Sequence, residues 1–173
     1  MSRRGFESSR CERPGRRRVL AGVGTAVATL AIAGCNAVGG DDSPAYEDGE
    51  VGAVDGEDRT PEETVAAAAL AETEINESVT PLDSLSIEAH EFVLEDDFRG
   101  PTVQGTVENA GDGRIQLVEV RVRTYDGNGE QLGRYLATTG DLDGGVAWAF
   151  EVILLESVED LEGYDVTVLG TPT

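Results

Sequence analysis

The second half of the chain predicts an all-β fold, an antiparallel β-sandwich of short strands. From Leu85 onward, apolar side chains recur at every second position. Val103, Gly105 and Val107 alternate with polar neighbours, and Val118, Val120 and Val122 alternate with Glu119, Arg121 and Arg123. Val146, Trp148, Phe150 and Val152 are spaced by Ala147, Ala149 and Glu151, and Tyr164, Val166 and Val168 by Asp165 and Thr167. A period of two sends one set of side chains to a core and the other to solvent, the pattern of half-buried strands. Turn-forming clusters separate these runs: Asn109-Ala110-Gly111-Asp112-Gly113, Asp126-Gly127-Asn128-Gly129 and Asp141-Leu142-Asp143-Gly144-Gly145. With roughly seven short strands and no helical stretch among them, residues 85–173 fit an immunoglobulin-like sandwich better than a small barrel.

Within that region the special residues read as structural. Gly105 inside a strand signals a bulge or a close backbone approach. Asn109 ahead of Gly111 suits a turn in which the side chain bonds its own backbone. Tyr125-Asp126 closes a strand, and Gly129 supplies a positive-φ position in the hairpin, so Asp126 reads as a turn former and not an acid catalyst.

Residues 60–84 precede the sandwich as a short helix and stalk. Thr60-Pro61-Glu62-Glu63 is a helix start, with Thr60 as N-cap, Pro61 in the first turn and Glu63 closing a capping box. Good helix formers follow, and helical character is lost between Asn76 and Pro81. Val65, Leu70 and Ile75 are the only sizeable apolar residues, so a frayed helix is expected. Residues 35–59 hold many acids and glycines and almost no large apolar side chain, which predicts a disordered acidic tether with an r.m.s. span of ~27 Å.

Residues 1–34 read as an export signal. Seven arginines precede the uncharged run Val19 to Ala33, whose 15 residues are fewer than the roughly 20 that a bilayer-crossing helix needs. Arg16-Arg17-Arg18-Val19-Leu20 fits a twin-arginine signal, with Arg16 and Arg17 as the pair read by the Tat machinery. Ile32-Ala33-Gly34-Cys35 has the form of a lipobox: small residues admit a protease, and the Cys35 thiol takes the lipid. The alternative, ordinary cleavage at Ala31-Ile32-Ala33, would release a soluble protein. Cys11 leaves with the signal, so no disulfide can form within the remaining chain. The expected location is the outer face of the cell membrane, held by a lipid on Cys35.

Every one of the 13 basic residues is Arg, and from Cys35 onward six Arg face 32 Asp and Glu, a formal charge of −26. Such a surface repels nucleic acid and anionic lipid. Its self-repulsion is removed only by strong screening, with a Debye length of about 3 Å at 1 M salt. A lack of Lys with abundant acids is the composition expected of an extreme halophile.

Several stretches together carry a family resemblance: Gly105-Thr106-Val107-Glu108-Asn109-Ala110-Gly111, Val118 to Tyr125-Asp126 with Gly129 following, Trp148-Ala149-Phe150, and Tyr164-Asp165-Val166-Thr167-Val168. Over about Leu85 to Leu169 the chain resembles the FxLYD domain of prokaryotic surface lipoproteins. Val122-Arg123-Thr124-Tyr125-Asp126 has Val and Thr where the eponymous pattern has Phe and Leu. The resemblance implies an immunoglobulin-like sandwich displayed outside the cell, with no agreed catalytic residues.

Residue chemistry points the same way. A histidine-dependent triad would have to use His90, which reads as structural on an edge-like strand, with Ser84 and Ser86 near it only in sequence. Zinc sites need several His or Cys, and paired carboxylates occur by chance in so acidic a chain. Asp126-Gly127-Asn128-Gly129-Glu130 resembles the opening of a calcium loop, but Gln131 stands where a Gly is needed and no closing Glu follows. Asp141-Leu142-Asp143 and Glu95-Asp96-Asp97 are similarly incomplete, and all three read as solvated turns. The expected function is a noncatalytic surface module, without cofactor or metal, that binds a protein, glycan or envelope partner. The alternative is an accessory or solute-capture lipoprotein serving a transporter or secreted enzyme.

Overall fold

The computed structural model describes residues 43–54 and 56–171. Seven strands form two antiparallel sheets. One sheet has the order β1-β7-β4-β5, with β1 at Glu47–Glu50, β4 at Ile115–Tyr125, β5 at Gln131–Leu142 and β7 at Gly163–Gly170. The other is β2-β3-β6, with β2 at Leu85–Leu94, β3 at Pro101–Asn109 and β6 at Ala147–Ile153. A ten-residue helix, α1 (Pro61–Leu70), precedes β2, and a 3-10 turn at Val158–Asp160 precedes β7.

The alternation seen in the sequence is the inside and outside of these sheets. Val103 and Val107 of β3, Val118, Val120 and Val122 of β4, Val152 of β6 and Val166 of β7 are fully buried and belong to one core with Tyr135, Phe150, Leu154 and Tyr164. Burying each such side chain stabilises the fold by about 1.5–3 kcal/mol. Short, β-branched valines suit a two-sheet core, in which inner faces interdigitate across about 10 Å.

β2 changes phase partway along. Leu85 and Ile87 pack inward, as do His90 and Phe92, because the register against β3 shifts between Ile87 and Ala89. The extra residue, Glu88, lets odd and even positions share one face. Gly105 lies opposite His90 on one side and Phe150 on the other. A Cβ there would meet the Phe150 ring at 2.6–2.7 Å and approach the Ala89 carbonyl oxygen even more closely. This is the close approach that the sequence predicts. Gly105→Ala is therefore expected to destabilise the protein by about 1–3 kcal/mol, measured by denaturant unfolding.

The turn predictions also hold. Gly129 has φ +80° in the β4–β5 hairpin, and Asp126 Oδ1 accepts from the N–H groups of Asn128 (2.9 Å) and Glu130 (2.8 Å). These bonds, led by the one from Glu130, hold the Asp126 carboxyl below its ordinary range.

Two expectations are corrected. Six of the strands lie from Leu85 onward, and the seventh, β1, lies within the stretch expected to be a tether from Cys35 to Arg59. Composition counts what a segment's own side chains can bury; β1 is held instead by backbone pairing, Glu47 to Glu50 opposite Val166 to Gly163. Arg59 ends the same stretch as a staple, donating from Nε to the Phe98 carbonyl (3.0 Å) and from Nη2 to those of Arg99 and Leu154.

The second correction concerns residues 60–84. The capping box forms: Thr60 Oγ1 accepts from the Glu63 N–H at 3.3 Å, and Glu63 Oε2 accepts from the Thr60 N–H at 2.8 Å. The segment does not stand clear as a frayed stalk. Ala67 is fully buried, the Glu72 carbonyl accepts from Leu136 N–H on β5, and Thr80 exchanges both backbone bonds with Gly170 on β7. The chain from Ala71 to Thr80 is a strap over the outer face of the four-stranded sheet. Small alanines achieve this because they let the backbone come close, which a count of large apolar residues does not register.

Candidate interaction surface

The two sheets present different outer faces. On the four-stranded sheet, outward positions of β4 carry Glu119, Arg121, Arg123 and Tyr125. Glu119 points outward yet is fully buried beneath the strap. Its Oε1 accepts from Arg121 Nε at 2.6 Å and its Oε2 from the Asn76 N–H at 2.9 Å, while Arg121 Nη2 donates to the Asn76 carbonyl at 3.1 Å. One ion pair therefore holds both backbone polar groups of one strap residue.

A second ion pair sits farther along the same face. Asp165 of β7, largely buried, accepts from both Nε (2.8 Å) and Nη2 of Arg123 and from the Tyr125 hydroxyl at 3.0 Å. The Tyr46 ring covers the Arg123 guanidinium at 3.6 Å. Burial, then the bond to Asp165, raises the Tyr125 hydroxyl above its ordinary value.

At the opposite edge, Glu156 Oε1 accepts from the hydroxyls of Tyr135 (2.9 Å) and Thr124 (3.2 Å). Desolvation and this carboxylate together push the Tyr135 hydroxyl far up. These carboxylates are spent on joining segments of the chain.

His90 has a structural partner. Its Nδ1 lies 2.9 Å from the Tyr164 hydroxyl, and the two rings meet edge to face at 5.5 Å, bridging the sheets. Burial pushes the Tyr164 hydroxyl up to about 12, so it stays protonated in this pair. The acidic clusters with calcium-like spacing are also engaged internally. Arg114 reaches Asp143 at 2.8 Å and Asp141 at 3.6 Å, and Arg99 joins Glu95, Asp97 and Glu151. Asp126 is taken up by its own turn.

The outer face of β2-β3-β6 is built differently. Register places Ala89, Thr106 and Ala149 side by side across the three strands. Glu91, Gln104 and Glu151 form the next row on one side, and Ser86, Glu108 and Ala147 the row on the other. The small middle row makes an open depression of about 410 Å³ between carboxylates, with Ala89, Glu91, Ala147 and Ala149 exposed. Gln104 stiffens the acidic row, donating to Glu95 Oε1 at 2.7 Å and Glu151 Oε2 at 3.3 Å.

Arg16, Arg17, Ile32, Ala33, Gly34 and Cys35, the residues of the expected export signal and lipidation site, lie outside the described residues. Among the described residues no helix is long and apolar enough to cross a membrane. Three important residues fall in stretches read as tether or stalk: Tyr46 and Arg59 through their side chains, and Asn76 through its backbone. A usable signal for two of them was scarcity, since Tyr46 is the lone aromatic and Arg59 the lone base between Cys35 and Thr60.

No protein-family model matches the chain. Over 78 residues it is 27% identical to an uncharacterized protein of Methanocaldococcus jannaschii, an alignment covering 44% of this chain and 58% of that protein. The chain thus spans less than two thirds of that relative's length. No solved structure matches it.

Proposed function

We propose that this is a Tat-exported lipoprotein, anchored through Cys35, that displays a noncatalytic, immunoglobulin-like sandwich of FxLYD type to a protein, glycan or envelope partner. The observation that carries this reading is the asymmetry of the two outer faces. One is closed by the strap, Tyr46 and two ion pairs, and the other is left open as rows of small and acidic side chains. The uncovered face, exposed at Ala89, Glu91, Ala147 and Ala149, is the surface left for a partner. Crossovers between sheets from β3 to β4, β5 to β6 and β6 to β7 support the immunoglobulin-like assignment. The aromatics that a solute pocket would need, Phe150, Tyr135 and Tyr164, pack inside the sandwich, which favours a surface module over solute capture. The excess of carboxylates supports adaptation to high salt, with screening replacing counter-charges.

The anchor is tested by Cys35→Ser, which is expected to move the protein from the membrane fraction to the medium; unchanged partitioning would overturn the lipid anchor. Replacing Arg16 and Arg17 by Lys is expected to stop export. The docking face is tested by crosslinking on intact cells at native salt, followed by mass spectrometry. Ala89→Arg with Ala149→Arg should remove the partners captured by the parent chain, and their retention would sink this choice of face.

A further inference from the structure

We propose that β1 is an exchangeable strand, and that the edge of β7 which it covers accepts the same segment from a second copy of this chain. Four features of β1 lead there, and none depends on the membrane reading.

First, β1 is weakly held. Only four residues pair with β7, and of these only Gly49 is even half-buried; the apolar contacts its release gives up are those of Gly49 over the Tyr164 ring and of the adjoining Val51 on the core. Second, its composition opposes its place. Glu47, Asp48 and Glu50 are acids, which have low intrinsic strand propensity, and Asp48 lies opposite Asp165, whose charge Arg123 already takes up. Third, what does hold the segment is specific and sits on β4 and β7. Tyr46 stacks on Arg123, the Ala45 carbonyl accepts from Thr167 Oγ1 at 2.6 Å, and Gly49 leaves room for the Tyr164 ring. An identical segment from another copy meets identical groups, so exchange conserves every one of these bonds. Fourth, seven residues, including Gly52 and Gly56, separate Val51 from the Arg59 staple. Extended, they span up to roughly 25 Å, enough for β1 to leave its own sheet while the strap and sandwich stay in place.

The vacated edge determines the occupant. Without β1, the backbone of Gly163 to Val166 would be an unpaired strand edge, which recruits another strand. The incoming strand must bring an aromatic to cap Arg123 and a small residue opposite Tyr164. Residues 46–49 of a second copy supply both. In this arrangement Arg123, already bonded to Asp165, offsets the Asp48 and Asp165 repulsion in the exchanged form as it does within one chain.

The test uses full-length chains in a Cys11→Ser, Cys35→Ser background. One carries Glu50→Cys, the other Gly163→Cys, positions that face one another in the β1–β7 register. Gly163 has open space for a side chain, with only the Gly49 carbonyl oxygen at 3.6 Å from a built Cβ. After the two are mixed at native salt and oxidised, a disulfide between positions 50 and 163 can form only between copies. Peptide mapping is expected to show this link in several-fold excess over a control mixture of Glu50→Cys with Asp112→Cys, an exposed position in the β3–β4 loop at the other end of β4 from Tyr125, the neighbour of Gly163. Equal yields would overturn the proposal. A second measurement places both cysteines in one chain and oxidises it dilute, locking β1 at home. Dimer seen by light scattering with the parent chain should disappear in the locked form. Dimer that persists there, or a parent chain that is monomeric at every concentration, would also overturn it.

Discussion

Arg121→Ala is expected to lower stability by about 3–5 kcal/mol, the largest effect of any single substitution on the covered face. The size comes from what is left behind. Glu119 is fully buried and takes one strong bond from Arg121 Nε at 2.6 Å. With the guanidinium gone, a carboxylate beneath the strap keeps one N–H donor, that of Asn76. An uncompensated buried charge costs far more than the pair contributes net, because the pair's Coulomb gain is mostly consumed by desolvation. Removing the charge as well should therefore restore much of the loss. The double variant Glu119→Gln, Arg121→Ala is expected to be clearly more stable than Arg121→Ala alone, by denaturant midpoint at fixed high salt. Equal midpoints for the two would show that Arg121 acts by packing alone. Hydrogen exchange adds a local readout: the Asn76 amide should lose protection first, since both of its strap contacts pass through this pair.

Sequence periodicity does not reach this buried pair. The strands of the core were legible because burial repeats with the period of the backbone, so Val118, Val120 and Val122 announce their face without knowledge of any partner. Gly105, Asn109 and Gly129 were legible because special backbone geometry demands special residues. The covering of the four-stranded sheet has no such local mark. Glu119 and Arg121 fit the solvent half of an alternating strand, and only the strap, 43 residues before Glu119 at its Asn76 contact, turns them into a buried pair. β1 fails for a related reason: Glu47, Asp48, Gly49 and Glu50 have poor intrinsic strand character, and the ladder on β7 supplies what composition lacks. Contacts made at long range by short polar segments leave almost nothing for periodicity to detect. The open face of β2-β3-β6 sits between these cases. Its alternation was visible, whereas the alignment of Ala89 with Thr106 and Ala149 required the register, which the bulge at Ile87/Ala89 sets.

Asn109→Ala is expected to cost about 3 kcal/mol, since hydrogen bonds at buried groups are worth about 1 kcal/mol each and leave orphaned partners when cut. The side chain is fully buried and makes three of them: Nδ2 donates to the carbonyls of Gly113 (2.8 Å) and Leu142 (3.1 Å), and Oδ1 accepts from the Gly111 N–H at 3.1 Å. Only the last is the local turn bond that the sequence predicts. The bond to Leu142 reaches the loop before β6, where the Asn109 backbone also pairs with Val146 and Gly145. Asn109 is thus a bolt between two loops, and Asn109→Asp separates that role from a simple turn preference. Asp is a good turn former, so a purely local role would leave this variant near parent stability. Across two loops it is expected to fall below Asn109→Ala at neutral pH, because a buried carboxylate would face two carbonyl oxygens with no donor to offer. Those surroundings raise the carboxyl's folded-state pKa above its unfolded value of about 3.9. Protonation then favours the folded form, so the variant should gain stability relative to Asn109→Ala as pH falls from neutral toward about 4, and lose it again on return. Parallel pH profiles for the two variants would show instead that the Leu142 contact carries no weight.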